Sequence, residues 1–300
     1  MSLEKKIKNA LDETRLLILG TQVLFGFQFQ SFFQELFSEL PRATQYLDCV
    51  ALVMMMIPTG LLIAPAMQHR IIEDGQDTNR IHAATSALAD AALFPIAIAL
   101  GMDVFIAFER VAGRGAGVAA GIVFCALALF FWYGVEFWLM ERRVPMREEE
   151  KQTPLSTKVE QMLTEARVII PGAQALLGFQ LTVTLTRSFE QLAAGTRMVH
   201  LAALCAIALA IVLLMAPAAV HRISFKGEDS SRFLKIGSFF VIAAPIPLAL
   251  GIALDMYVAA TRVSEGTLLA ASLCAGTLVV LGTLWYGYPI WRRQQLRAEG

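Results

Sequence analysis

Residues 13–28 read ETRLLILGTQVLFGFQ, and residues 165–180 read EARVIIPGAQALLGFQ. Glu13, Arg15, Gly20, Gln22, Gly26, Phe27 and Gln28 recur as Glu165, Arg167, Gly172, Gln174, Gly178, Phe179 and Gln180, at an offset of 165 − 13 = 152 residues. The same offset carries Pro65, His69, Arg70 and Arg80 onto Pro217, His221, Arg222 and Arg232, and Pro95, Asp103 and Arg110 onto Pro247, Asp255 and Arg262. A repeat of this length is a duplicated domain, too long for a 20–50-residue solenoid unit. Further on, Trp132-Tyr133-Gly134 matches Trp285-Tyr286-Gly287 at an offset of 153, which predicts one extra residue in the fourth span region of the second half.

The duplicated unit is apolar. The chain is 56% hydrophobic and 17% charged, against about 25% charged in an average soluble domain. Its charges fall in short clusters between long apolar stretches, the pattern of a chain that crosses a bilayer. Eight stretches are long enough to do so: 16–36, 47–68, 82–107, 117–139, 168–188, 198–219, 233–258 and 267–290. In a bilayer such runs satisfy their backbone hydrogen bonds as helices. The expected fold is therefore all-α: a polytopic membrane protein of eight transmembrane helices, built as two parallel four-helix repeats about a pseudo-two-fold axis along the membrane normal. Residues 1–146 form the first repeat, 147–158 a charged linker containing Pro154, and 159–300 the second repeat. The apolar stripes Ile7, Ala10, Leu11 and Val159, Met162, Leu163 suggest short surface helices ahead of spans 1 and 5, with a solvated lead-in as the equal alternative.

Nineteen of the 25 Lys and Arg residues fall at the termini, the 69–80 and 221–235 turns and the linker. The positive-inside rule then puts both termini in the cytoplasm. Formal net charge is zero, so no global basic surface points to nucleic acid. Cys49, Cys125, Cys205 and Cys274 lack metal-ligand spacing and read as buried free thiols. No nucleophile elbow, P-loop, metalloprotease or dinucleotide motif is present, so neither catalysis nor a cofactor is expected.

Polar residues inside the spans are the functional candidates. Gln22, Gly26 and Gln30 form one helical stripe, as do Gln174, Gly178 and Thr182. They read either as packing glue or as a polar path between spans 1 and 5. Gln28 and Gln180 lie off that stripe and need a second partner. Asp103 and Asp255, late in spans 3 and 7, read as inter-helix bonds or path residues. Asp90, which the second half replaces with Ile242, is mid-span and stands out as a proton- or cation-responsive group. At the basic end, Glu13, Arg15, His69, Arg70, Arg80 and their copies Glu165, Arg167, His221, Arg222 and Arg232 read as anchors or a gate. There each acid is expected to pair with the turn after the second span. Asp77 or Thr78, and Asp229 or Ser230, are expected to cap the following helices. Pro95 and Pro247 are expected to kink spans 3 and 7.

The pattern E-x-R…G-x-Q-x-L-x-x-F-Q followed by A-P-x-x-x-H-R resembles an uncharacterised family of bacterial four-span membrane proteins, here in tandem. The resemblance implies the bacterial cytoplasmic membrane and assigns no activity. Two function classes follow from the residues. One is an ion or small-solute channel or transporter with a proton or cation path between the first helices of the repeats. The other is a non-transporting scaffold or accessory subunit that binds other membrane proteins or a second copy of itself.

Overall fold

The computed structural model describes residues 3–76, 78–134, 153–223, 225, 229–264 and 266–299. Among these the chain is all-helical. In the first half α1 is Leu3–Ser31, α2 Arg42–Ile71, α3 Asn79–Ala112 and α4 Arg114–Leu129. In the second half α5 is Leu155–Thr184, α6 Ala194–Ile223, α7 Ser231–Ala243, α8 Pro245–Val263, α9 Thr267–Gly282 and α10 Tyr288–Glu299. Among the described residues, six helical stretches are long and apolar enough to cross a membrane: α2, α3, α5, α6, the α7–α8 rod and the rod that runs from α9 through α10. Helix α1 is long, but Gln22, Gln28 and Gln30 dilute its apolar run. The described part of α4 has only 16 residues. The end of the expected fourth span, residues 135–152 of the linker region, and Asp77 lie outside the described residues.

Three local expectations change in the structure, and the two copies of the proline-bearing third span differ from each other. Residues 155–167 are the start of α5 and no separate surface helix; Val159 and Met162 are buried in the core. Helix α3 runs through Pro95 unbroken, whereas its copy divides between α7 and α8 at Ala244. The second half has Pro245 as well as Pro247, and two missing N–H donors within three residues end the helix where one does not. The extra residue of the second half lies in the turn before the fourth helix and not within that helix, since α4 and α9 already begin 267 − 114 = 153 residues apart. Of the four free cysteines only Cys49 is buried, and Cys205 is exposed.

The helix starts follow from capping chemistry. Thr78 Oγ1 accepts from Ile81 N at 3.2 Å, and Ser230 Oγ accepts from Phe233 N at 3.1 Å. Each satisfies one of the orphan N–H groups of a first helical turn. Replacing Thr78 with Ala is expected to lower stability by about 1 kcal/mol, measured as a shift in thermal unfolding of the detergent-solubilised protein.

The two halves are packed together along most of their length. Helix α1 lies against α5, where Gly26 meets the Phe179 ring and Gly172 meets the Gln22 side chain so closely that a Cβ at either glycine would overlap its neighbour. Phe27 and Phe179 add a tilted ring contact at 4.6 Å. Trp285, fully buried in a π-helical turn between α9 and α10, donates from Nε1 to Gly60 O of α2 at 2.9 Å. Arg262 Nε donates to Phe32 O at 3.1 Å, at the end of the bundle opposite the 69–80 turn.

Candidate functional site

Late in α1 and late in α3, an amide and a carboxylate meet. Gln28 Nε2 donates to Asp103 Oδ1 at 2.9 Å and to Oδ2 at 3.1 Å. The second half repeats the contact between α5 and α8, with Gln180 Nε2 donating to Asp255 Oδ2 at 2.7 Å. The offsets 180 − 28 and 255 − 103 are both 152, so this is one bond made twice. An amide is the neutral donor for a carboxylate. It joins the first and third helices of each half without introducing a buried cation.

The surroundings of the two bonds differ. In the first half, Gln28, Ser31, Asp48 and Asp103 stand at the polar end of a cavity of about 420 Å³. Leu24, Phe27, Leu36, Phe37, Leu40 and Ile106 give it apolar walls. Asp48, from the second turn of α2, is buried and bonded to Ser31 Oγ. Ser31 Oγ also lies 2.7 Å from Gln28 O. Arg110 stands at the mouth, engaged with Glu39 at 2.9 Å.

In the second half, the residue 152 positions after Asp48 is His200. Its ring is buried. His200 Nε2 is 3.0 Å from Gln180 O, and Nδ1 is 3.9 Å from Asp255 Oδ1. Phe29 stacks on the imidazole at 5.9 Å and Phe189 meets it edge-on at 5.2 Å. Where the first half has a cavity beside its acid, the second has an imidazole of its own.

A family model described as a family of unknown function, DUF6328, matches residues 2–136 and again residues 148–289. The chain belongs to the DUF6328 family. It holds two copies of the family's domain in tandem, which is the duplication seen in the offset. No curated protein and no solved structure matches it.

A second buried cluster joins the two DUF6328 copies at the opposite, basic end. His69 Nδ1 and Glu165 Oε1 are 2.6 Å apart, and Arg70 Nε donates to Glu165 Oε2. A carboxylate only accepts, so His69 Nδ1 carries the hydrogen of that contact. His69 and Arg70 form the last turn of α2, where positive charge suits the exposed carbonyls. Arg70 Nη2 also reaches Lys158 O at 3.4 Å. Gly75, at φ +74, folds the turn back over the guanidinium. A side chain there would strain the backbone. The acid and the His-Arg pair thus come from different copies. The expected Glu13 partner is replaced by its duplicate, Glu165.

The remaining sequence candidates scatter. The side chains of Glu13, Arg15 and Arg222 lie outside the described residues. Arg80 Nε donates to Glu73 Oε1 at 2.7 Å, and Arg167 and Arg232 are exposed. His221 stacks on Phe233 at 4.4 Å, with Nε2 3.4 Å from Asp229 Oδ1. Gln22 is buried against Gly172, but Gln174 is exposed, so these two amides do not face one another across a path. A one-sided slide of α1 on α5 separates them: Gly26 and Gly172 are in tight contact, while their copies Gly178 and Gly20 have open space.

Asp90 is on the exposed side of α3 and not within the bundle. Its backbone carbonyl accepts from Tyr133 Oη, as Ile242 O accepts from Tyr286 Oη at 2.6 Å in the second copy. That duplicated contact needs no carboxylate, which explains how Ile can stand there. Sequence reasoning missed Ser31, Asp48 and His200. The available signal was a polar residue in both copies at one offset, changed from acid to base.

Proposed function

We propose that this protein is an integral membrane protein that binds and moves a small cation through the acid site of its first repeat. The observation that carries the reading is the cavity with Asp48, Asp103 and Gln28 at its polar end, in a chain whose other copy of the site is filled. Carboxylates held inside a membrane bundle are costly and are retained where they meet protons, cations or partners. We put the path in the first repeat and not between α1 and α5, a choice supported by the close approach of Gln22 to Gly172. On this reading the chain crosses the bacterial inner membrane eight times, with its repeats parallel and both termini cytoplasmic. Support for the orientation comes from the nineteen basic residues gathered at one end. The latch of Glu165 with His69 and Arg70 then lies toward the cytoplasm and the cavity toward the outside. The chemistry is binding and translocation, without catalysis or a cofactor.

A second reading, a non-transporting scaffold, is favoured by the closed α1–α5 contact and by an apolar groove of about 410 Å³ along α3 and α4. Gly101 and Gly121 bring those two backbones together there, leaving a shallow surface that a helix of another membrane protein can cover.

Liposomes loaded with purified protein, under separate H⁺, Na⁺ and K⁺ gradients, distinguish the two. Flux above that of empty liposomes, abolished by Asp48→Asn, is expected. No flux of any of the three from folded protein overturns the transport reading in favour of the scaffold.

A further inference from the structure

The closed end of the first-repeat cavity has more acceptors than donors. Gln28 is 95% buried, since 5% of its surface is exposed, and its Nε2 is committed to Asp103. Its Oε1, on the other arm of the same planar amide, receives no hydrogen bond. Ser31 Oγ touches both Gln28 O and an Asp48 oxygen, yet a hydroxyl has a single proton to donate. Two carboxylates and an amide oxygen therefore share one hydroxyl proton and one amide NH₂. An unmade buried hydrogen bond is costly, so the arrangement suits an incoming donor. The only cationic side chain among the cavity residues, Arg110, is at the mouth with Glu39.

The second repeat shows what the chain itself places beside the same amide–acid bond. At the position of Asp48 it carries His200, whose Nε2 donates to the backbone carbonyl of Gln180 at 3.0 Å and whose Nδ1 stands 3.9 Å from Asp255 Oδ1 without a hydrogen bond; Gln180 Oε1, like Gln28 Oε1, receives none. Aromatic rings enclose the apolar body of that imidazole. A nitrogen base with an apolar body, supplied by the chain itself, occupies the closed copy.

We propose that the first-repeat cavity binds a protonated amine with an apolar body, its N–H groups on Asp48 and Asp103 and its hydrocarbon part against Leu24, Phe27 and Ile106. The volume lies within the roughly 300–1,000 Å³ of small-molecule sites. The ammonium group can belong to a free lipophilic amine or to the headgroup of phosphatidylethanolamine, and both present the same N–H cation above an apolar chain. This inference rests on the cation-handling reading above and specifies its ligand.

The test is ligand-induced stabilisation of the full chain in phosphatidylcholine nanodiscs, with hexylammonium as probe and hexyltrimethylammonium as a cation of equal charge without N–H groups. Hexylammonium is expected to raise the unfolding midpoint saturably, with at least tenfold higher apparent affinity than the trimethyl probe. Asp48→Asn is expected to lose at least tenfold in hexylammonium affinity. Asp48→His copies the second repeat into the first; it is expected to fold with an unchanged or higher midpoint and to give no response. A weaker hexylammonium response in discs containing phosphatidylethanolamine assigns the site to the headgroup, and an unaltered one assigns it to free amines. Equal responses to the two probes, or a full response from Asp48→His, overturn the proposal. Hexylammonium binding without H⁺, Na⁺ or K⁺ flux leaves this inference standing and removes only transport of those ions. Flux of an inorganic cation without any hexylammonium response removes only this inference.

Discussion

Glu165→Ala is expected to lower stability by about 3–5 kcal/mol, the cost of leaving a buried charge without its partner. Arg70 and His69 contact the Glu165 carboxylate with side chains only 2% exposed. Neither reaches water when the acid is removed. The loss should appear as a lower midpoint in denaturant or heat, together with weaker association of the two repeats, since this contact joins α2 of one to α5 of the other. Glu165→Leu combined with Arg70→Leu is expected to recover most of the loss, because an apolar pair of similar volume needs no charge compensation. Arg167→Ala, two residues away but exposed, is expected to change stability by no more than about 0.5 kcal/mol. Equal effects of Glu165→Ala and Arg167→Ala would contradict the latch.

Trp285→Ala is the other large loss, about 3–5 kcal/mol. The indole is fully buried and its N–H bonds to Gly60 O. Truncation leaves a cavity where α2 meets the second repeat, and the surrounding core collapses into it only partly. Trp285→Phe retains most of the volume and is expected to cost about 1 kcal/mol for the lost hydrogen bond plus a smaller packing loss. The copy in the first repeat, Trp132, is half-buried. Trp132→Ala is therefore expected to cost less than Trp285→Ala when both are measured by the same unfolding assay.

The duplication, the helices and the caps were legible because each is local or repeats at a fixed offset. Thr78 and Ser230 are polar residues at the start of apolar runs, and a cap explains them without tertiary information. The bond between Gln28 and Asp103 was half legible. Both residues recur at the repeat offset, and an off-stripe amide has to find a partner, but only the folded bundle brings together positions 75 apart. Asp48 and His200 were hidden for a different reason. Agreement between the two halves drew attention to what they share, while these two residues differ, and the difference is what leaves one site open and fills the other. Asp90 misled for the converse reason. A mid-span acid reads as buried when helix orientation is unknown, and the rotation of α3 places it outside. The division of α7 from α8 followed from one added proline, a signal present in the sequence at Pro245.

The central claim is that the first repeat alone carries the working site, and the most direct test exploits the duplication. Asp103→Asn and Asp255→Asn make the same change to equivalent acids, each bonded to an equivalent amide. In the liposome assay for H⁺, Na⁺ and K⁺ flux, Asp103→Asn is predicted to abolish flux. Asp255→Asn, whose acid is enclosed beside His200, is predicted to retain it once folded protein is matched. Loss of flux from Asp255→Asn with Asp103→Asn unaffected, or equal loss from both, would contradict the account.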